Sequence, residues 1–242
     1  MVVGLAFIAT AVATVFAQAT LVRATTRHRP QDRVWTIALT LFALASAALA
    51  VGVTNGWANP TFRVFYLLGA VLSVPWLALG TVYLLARPAV GRRVEVVLIF
   101  LSGLATGVLL SAPMETVSGR AIPVGKDVFG VFPRVLAAVG SGLGALVIIV
   151  GALVSAARYA RHRDVAGNGK RALANALIAF GTLVLSSGGL LQGIAGKDGA
   201  FVLSLAVGIT VIYAGFLLAS RASEPVPATP ADVTADASAA QA

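Results

Sequence analysis

The chain has 242 residues, of which 58% are hydrophobic and 11% charged, with a formal net charge of +9 at pH 7 and no cysteine. Soluble domains carry about 25% charged residues to wet their surface, so this composition excludes a soluble fold and makes lipid the solvent for most of the surface. The absence of cysteine excludes disulfides, thiolate metal sites, iron–sulfur clusters and cysteine nucleophiles.

Seven apolar runs approach the roughly 20 helical residues needed to cross about 30 Å of hydrocarbon. In chain order they are 2–22, 34–53, 64–86, 94–112, 135–156, 172–195 and 200–220. Backbone groups in lipid must be satisfied internally, which makes runs of this length helices, and the strict alternation of a membrane barrel is missing. The fold class is an all-α membrane protein, a bundle of about seven transmembrane helices. The first run ends near Ala17-Gln18-Ala19, a small-x-small pattern like a signal-peptide cleavage site. No Lys or Arg precedes it, however, so it reads as a retained span.

The connections set the orientation. Four arginines lie in 23–33, three in 87–93 and five Lys/Arg in 157–171, and with Arg221 they put thirteen basic residues on one side. Arg63, Arg120, Lys126, Arg134 and Lys197 are the five on the other. Excess Lys/Arg marks the cytoplasmic side, which predicts an N-terminus outside and a C-terminus in the cytoplasm of a multi-pass cell-membrane protein. The basic residues sit between apolar runs, not in a stripe with stacking aromatics, so no nucleic-acid partner is expected. Membrane lipids are.

Residues 1–221 thus form one transmembrane domain. From 222 to 242 the chain has three prolines, three acids and almost no large apolar residue. Such a segment cannot bury enough to offset chain entropy and is expected to be a disordered cytoplasmic tail.

Small residues recur every four positions at Gly103, Gly107 and Ser111, at Gly140 and Gly144, and at Gly189 and Gly193. That spacing puts each set on one helix face, where backbones can approach, and internal packing is the expected use. Pro75 removes a donor from the third span and clashes with the carbonyl of Val71, so a kink is expected there. Trp35 and Trp57 suit the membrane interfaces. Trp76 falls in mid-span, where with Pro75 it could line a pocket or form a gate, as broken helices do near the midplane of transporters.

Intramembrane acids and histidines mark ion pathways. Of the nine acids only Glu95 falls in a proposed span, at its edge beside Arg92 and Arg93, which are its expected ion-pair partners. A proton pump, an ion-coupled antiporter and a voltage sensor are therefore disfavoured. Both histidines, His28 and His162, lie in basic loops, so a haem held between spans is not expected. The seventh run has no lysine for a retinal Schiff base. Gly140-Ser141-Gly142-Leu143-Gly144 lies within an apolar run rather than between a strand and a helix, and Asn168-Gly169-Lys170-Arg171 lacks the Ser/Thr that ends a P-loop. No nucleophile elbow or zinc-protease helix occurs. No catalytic residue, metal site or cofactor is assigned, and an enzyme is not expected.

What remains is the outward face. Residues 113–134 form the longest connection and mix Glu115, Arg120, Lys126, Asp127 and Arg134 with Phe129 and Phe132. The apolar residues could fold it back as a cap over the bundle. Arg63, followed by Phe65 and Tyr66, lies on the same side, and Gln192 could face a vestibule there. Cations on such a cap could receive an anionic solute, a lipid headgroup or a protein partner. The alternative is mutual pairing of these charges. The candidate ligand-binding residues are Arg63, Tyr66, Trp76, Lys126, Asp127, Arg134 and Gln192, with Pro75 as a candidate gate.

The segments TFRVFYLLGAVLSVPWLALGTVYLLARP, residues 61–88, and IPVGKDVFGVFPRVLA, residues 122–137, resemble those of an uncharacterised family of actinobacterial multi-span membrane proteins. The resemblance covers residues 1–221. It implies the same seven-span architecture, directs attention to Arg63, Tyr66, Pro75, Lys126, Phe129 and Arg134, and implies no activity. Two functions stay open: a non-enzymatic sensor, accessory or envelope protein that binds at its outward face, and a transporter of a neutral or lipidic solute.

Overall fold

The structure is a computed structural model and describes residues 1–162, 165, 167–195 and 198–222, the side chains of 190, 191 and 193–195 excepted. The expected tail from 223 onward, Asp164 and Lys197 lie outside the described residues. Seven helices among those described are long and apolar enough to cross a membrane. They are α1 (Val2–Arg27), α2 (Pro30–Asn55), α3 (Asn59–Leu85), α4 (Pro88–Ser111), α5 (Val131–Arg161), α6 (Asn168–Ala195) and α7 (Asp198–Arg221). The chain is an α-helical integral membrane protein. Its surface agrees: Phe100 and Val131 are 71% exposed, whereas Ala6, Ala9 and Ala13 are fully buried. Large apolar side chains face the lipid, and small ones let the helices approach each other.

The helices run further than the apolar runs, chiefly at the arginine-rich end. α1 continues through Thr25 and Thr26, whose hydroxyls donate to the carbonyls of Val22, and stops at His28 in a left-handed conformation, φ 51°. Only His28 and Arg29 link it to α2. Pro30 opens α2 and Pro88 opens α4, at a position where a missing N–H leaves no bond unmade. α5, with 31 residues, is about 46 Å long, so its ends reach beyond the hydrocarbon.

Packing follows a closed order, α1–α2–α3–α5–α6–α7 and back to α1, and α4 rests outside it, mainly on α3. The small residues fill these seams unequally. Gly140 and Gly144 are packed as expected, since a Cβ at Gly144 would stand 3.0 Å from Val74 and one at Gly140 would stand 3.4 Å from Pro75. Gly103, Gly107 and Gly189, by contrast, have nothing within 4 Å of that position. The α4 stripe points away from the bundle because α4 meets α3 through Ala105 and Leu109 on another face. Gly193 lies outside the residues whose surroundings are described. The tightest seam joins α6 to α7, where a Cβ on Gly181 would stand 2.9 Å from the carbonyl of Gly208, and one on Gly215 would stand 2.8 Å from that of Ala174.

α3 changes its hydrogen-bond register just ahead of Pro75, where the kink is expected. Residues Tyr66–Ser73 are wound as a π-helix, in which each N–H reaches the carbonyl five residues back. In that register residue 75 would donate to Ala70, not Val71. Pro75 has no N–H, and the hydroxyl of Ser141 on α5 donates to the Ala70 carbonyl in its place. The wide turn and the borrowed donor together accommodate the proline.

Candidate functional site

At one end of the bundle the connection from α4 to α5 is built as a folded cap. Met114 and Phe129 form an isolated antiparallel bridge, the Glu115 N–H donates to the Val128 carbonyl at 3.1 Å, and Gly125–Val128 make a single helical turn. Three hydrogen bonds tie it down. The Val117 N–H donates to the Asn59 side chain at 2.9 Å, the Trp57 N–H to the Gly119 carbonyl at 2.7 Å, and the Ile122 N–H to the Asp198 carboxylate at 2.9 Å. Beneath, Val117, Ile122, Val128 and Phe129 pack with Trp57, Phe62 and Phe201 in one buried cluster. Trp57 is therefore enclosed by protein rather than turned to an interface.

The predicted residues divide within this cap. Arg63 donates to the carbonyls of Leu109, Leu110 (2.8 Å) and Ala112 (3.2 Å), and its guanidinium lies 6.0 Å from the Phe129 ring. The last carbonyls of a helix lack intrahelical partners and carry the negative end of its dipole. Arg63 thus caps α4. Tyr66 is half-buried with its ring 5.0 Å from that of Phe129, and a Cβ on Gly125 would stand 2.6 Å from it. Lys126, Asp127 and Arg134 are exposed on the cap's surface, as is Arg120.

The remaining candidates are Trp76, Pro75 and Gln192. Trp76 donates to the Ser102 hydroxyl on α4 at 3.1 Å, and Pro75 is set against Gly140 of α5. Gln192 is 9% exposed and its Nε2 has no hydrogen-bond partner among the described residues, so it does not face an open vestibule. Pro75 and Trp76 thus pack against α5 and α4 in mid-span.

At the opposite end the arginine-rich segments meet, and here residues expected in a loop are helical and paired. Asp32, the third residue of α2, is fully buried. Arg23 of α1 lies 3.6 Å from it, donates to the Ser220 hydroxyl of α7 at 2.8 Å, and covers the Phe216 ring at 4.6 Å. Glu95 also differs from expectation. It pairs with Arg33 of α2 at 2.8 Å and accepts a hydrogen bond from the Tyr83 hydroxyl of α3, while Arg92 and Arg93 stay exposed. Neighbours on one helix point past each other, whereas the side chains from α2 and α3 meet Glu95 head-on. The available signal for the first pair was two opposite charges on either side of a two-residue link. Among the described residues no group of three metal-ligating side chains occurs.

The arrangement defines a polytopic α-helical membrane protein with a folded cap at one end and, among the described residues, two interhelical ion pairs at the other. No protein-family model, curated protein or solved structure matches the chain.

Proposed function

We propose that this is a non-enzymatic protein of the plasma membrane, N-terminus outside and C-terminus cytoplasmic, whose cap binds a ligand, lipid headgroup or protein partner on the outward face. The observation that carries this reading is the cap itself. A connection of this length need not be folded to join two spans, and long connections with built structure tend to carry function. This one holds Arg120, Lys126, Asp127 and Arg134 exposed above a buried aromatic cluster. Arg63 and Tyr66 serve it from beneath, one by capping α4 and the other by supporting Phe129. A sensor, an accessory subunit or an envelope factor would use such a surface. The close packing of Pro75 and Trp76 against α5 and α4 weighs against a transporter gated there.

Native mass spectrometry of the protein extracted with its own membrane tests the reading. Lys126→Ala with Arg134→Ala should lose a bound species that the parent retains, and unchanged retention would overturn it. The orientation is tested separately in this cysteine-free chain. Ser118→Cys should react with an impermeant maleimide on intact cells, and Ser223→Cys only after lysis.

A further inference from the structure

Between α1 and α2 a groove runs along the lipid-facing surface. Its lower half, toward the arginine-rich end, has a volume of about 300 Å³ and reaches Leu21 and Thr36. Its upper half, about 340 Å³, shares Thr10 and Ala47 with the lower and ends at Thr54 and Asn55. The floor is made of small residues. Three of its five threonines are methyl-faced as well, because the hydroxyls of Thr10, Thr14 and Thr36 donate to their own helix, to the carbonyls of Ala6, Thr10 and Asp32. A side chain that bonds to its own backbone leaves only its methyl to a neighbour.

The groove is therefore narrow, apolar and parallel to the helices. From Leu21 to Phe7 it spans about 21 Å of helix, more than the roughly 15 Å of one hydrocarbon leaflet. Its lining ends at Leu21 and Thr36, and about 9 Å of helix further on comes the two-residue link between α1 and α2, where Arg27, His28 and Arg29 are all exposed. The nearest carboxylate, Asp32, is buried and faces Arg23. Net positive charge is thus left beyond the lower end of the apolar groove, within the reach of a lipid headgroup whose chain lies in it.

We infer that this groove is a binding site for an anionic phospholipid, one acyl chain lying between α1 and α2 and the phosphate on Arg27 and Arg29. Charge decides between occupants. A second copy of the chain seated here about a two-fold axis would set its own Arg27 and Arg29 against these, like charge on like. A phosphate instead accepts hydrogen bonds from both guanidinia. The inference is independent of the cap, since none of its residues belongs to it.

The test uses the full-length protein, delipidated in detergent and titrated with phosphatidylglycerol or phosphatidylcholine of matched chains, read by native mass spectrometry. Phosphatidylglycerol should be retained on the order of tenfold better, the scale set by two surface arginines. Arg27→Gln with Arg29→Gln, both at exposed positions, should abolish that preference. Ala47→Phe should reduce retention of both lipids, with circular dichroism and gel filtration confirming the fold. Equal retention of the two lipids by the parent protein would overturn the proposal. So would a preference that survives loss of both arginines, or a dimer that Ala47→Phe abolishes.

Discussion

Arg23 and Asp32 face each other across a two-residue turn, with Nη2 3.6 Å from Oδ1 and the carboxylate wholly buried. Each is the other's counter-charge, and Arg23 also reaches α7, so the pair joins three helices. Removing one member of a buried pair strands the other. Asp32→Ala or Arg23→Ala alone should cost about 3–5 kcal/mol, whereas Asp32→Leu with Arg23→Met should cost less than either. Thermal unfolding in detergent, followed by tryptophan fluorescence, measures all three. A double variant as unstable as the singles added together would show that the two residues act independently.

The Ser141 hydroxyl substitutes for the N–H that Pro75 lacks. Interhelical hydrogen bonds in membranes average about 0.6 kcal/mol, and Ser141→Ala should cost on that order. In a Pro75→Ala background, residue 75 supplies its own donor. Ser141→Ala should then cost almost nothing. Equal cost in both backgrounds would break the link between the two residues.

Trp35 of α2 lies over Gly80 of α3 and donates to the carbonyl of Leu77 at 3.2 Å. A Cβ at position 80 would occupy the space of the indole. Gly80→Ala should therefore cost about 1–3 kcal/mol, the usual penalty of overpacking, and should shift the tryptophan emission. With Trp35→Ala already present, the same change should be close to neutral in unfolding temperature.

Arg63 reaches three carbonyls because its donors are spread over a planar fork. Arg63→Ala should cost about 2–3 kcal/mol, in the range of hydrogen bonds to a charged group. Arg63→Lys should recover only part. Hydrogen exchange locates the damage: the Ala112 amide, bonded to the carbonyl of Val108, should exchange faster in both variants. Unchanged exchange at the end of α4 would refute the capping role.

The spans could be read from the sequence because lipid requires long apolar runs, but their ends could not. Arginine and threonine at a helix end lower the hydropathy without breaking the helix, so α1 and α2 extend to Arg27 and back to Pro30. Four-residue spacing identified small faces but not which of them meets a neighbour. Gly103 and Gly107 share that spacing with Gly140 and Gly144, and only the latter two are packed. Gly181, Gly208 and Gly215 escape a search along one helix because their seam sets small residues of two helices against each other, Gly181 against Gly208 and Gly215 against Ala174. Asp32 looked like a loop acid because nothing local says that Arg23 will cover it. The cap is legible in its apolar residues, whereas the capping role of Arg63 is not, since its acceptors lie more than forty positions away in the chain.

α4 is held by few apolar contacts, and only 11% of its most apolar stretch is buried. Polar attachments fix it at three heights: Glu95 to Arg33 and Tyr83, Ser102 to Trp76, and the carbonyls of Leu109, Leu110 and Ala112 to Arg63. Every one of these partners precedes α4 in the chain. During synthesis, then, α2 and α3 are translated before the helix they will receive, and α4 emerges beside a complete set of acceptor and donor groups, with no need to wait for anything still on the ribosome.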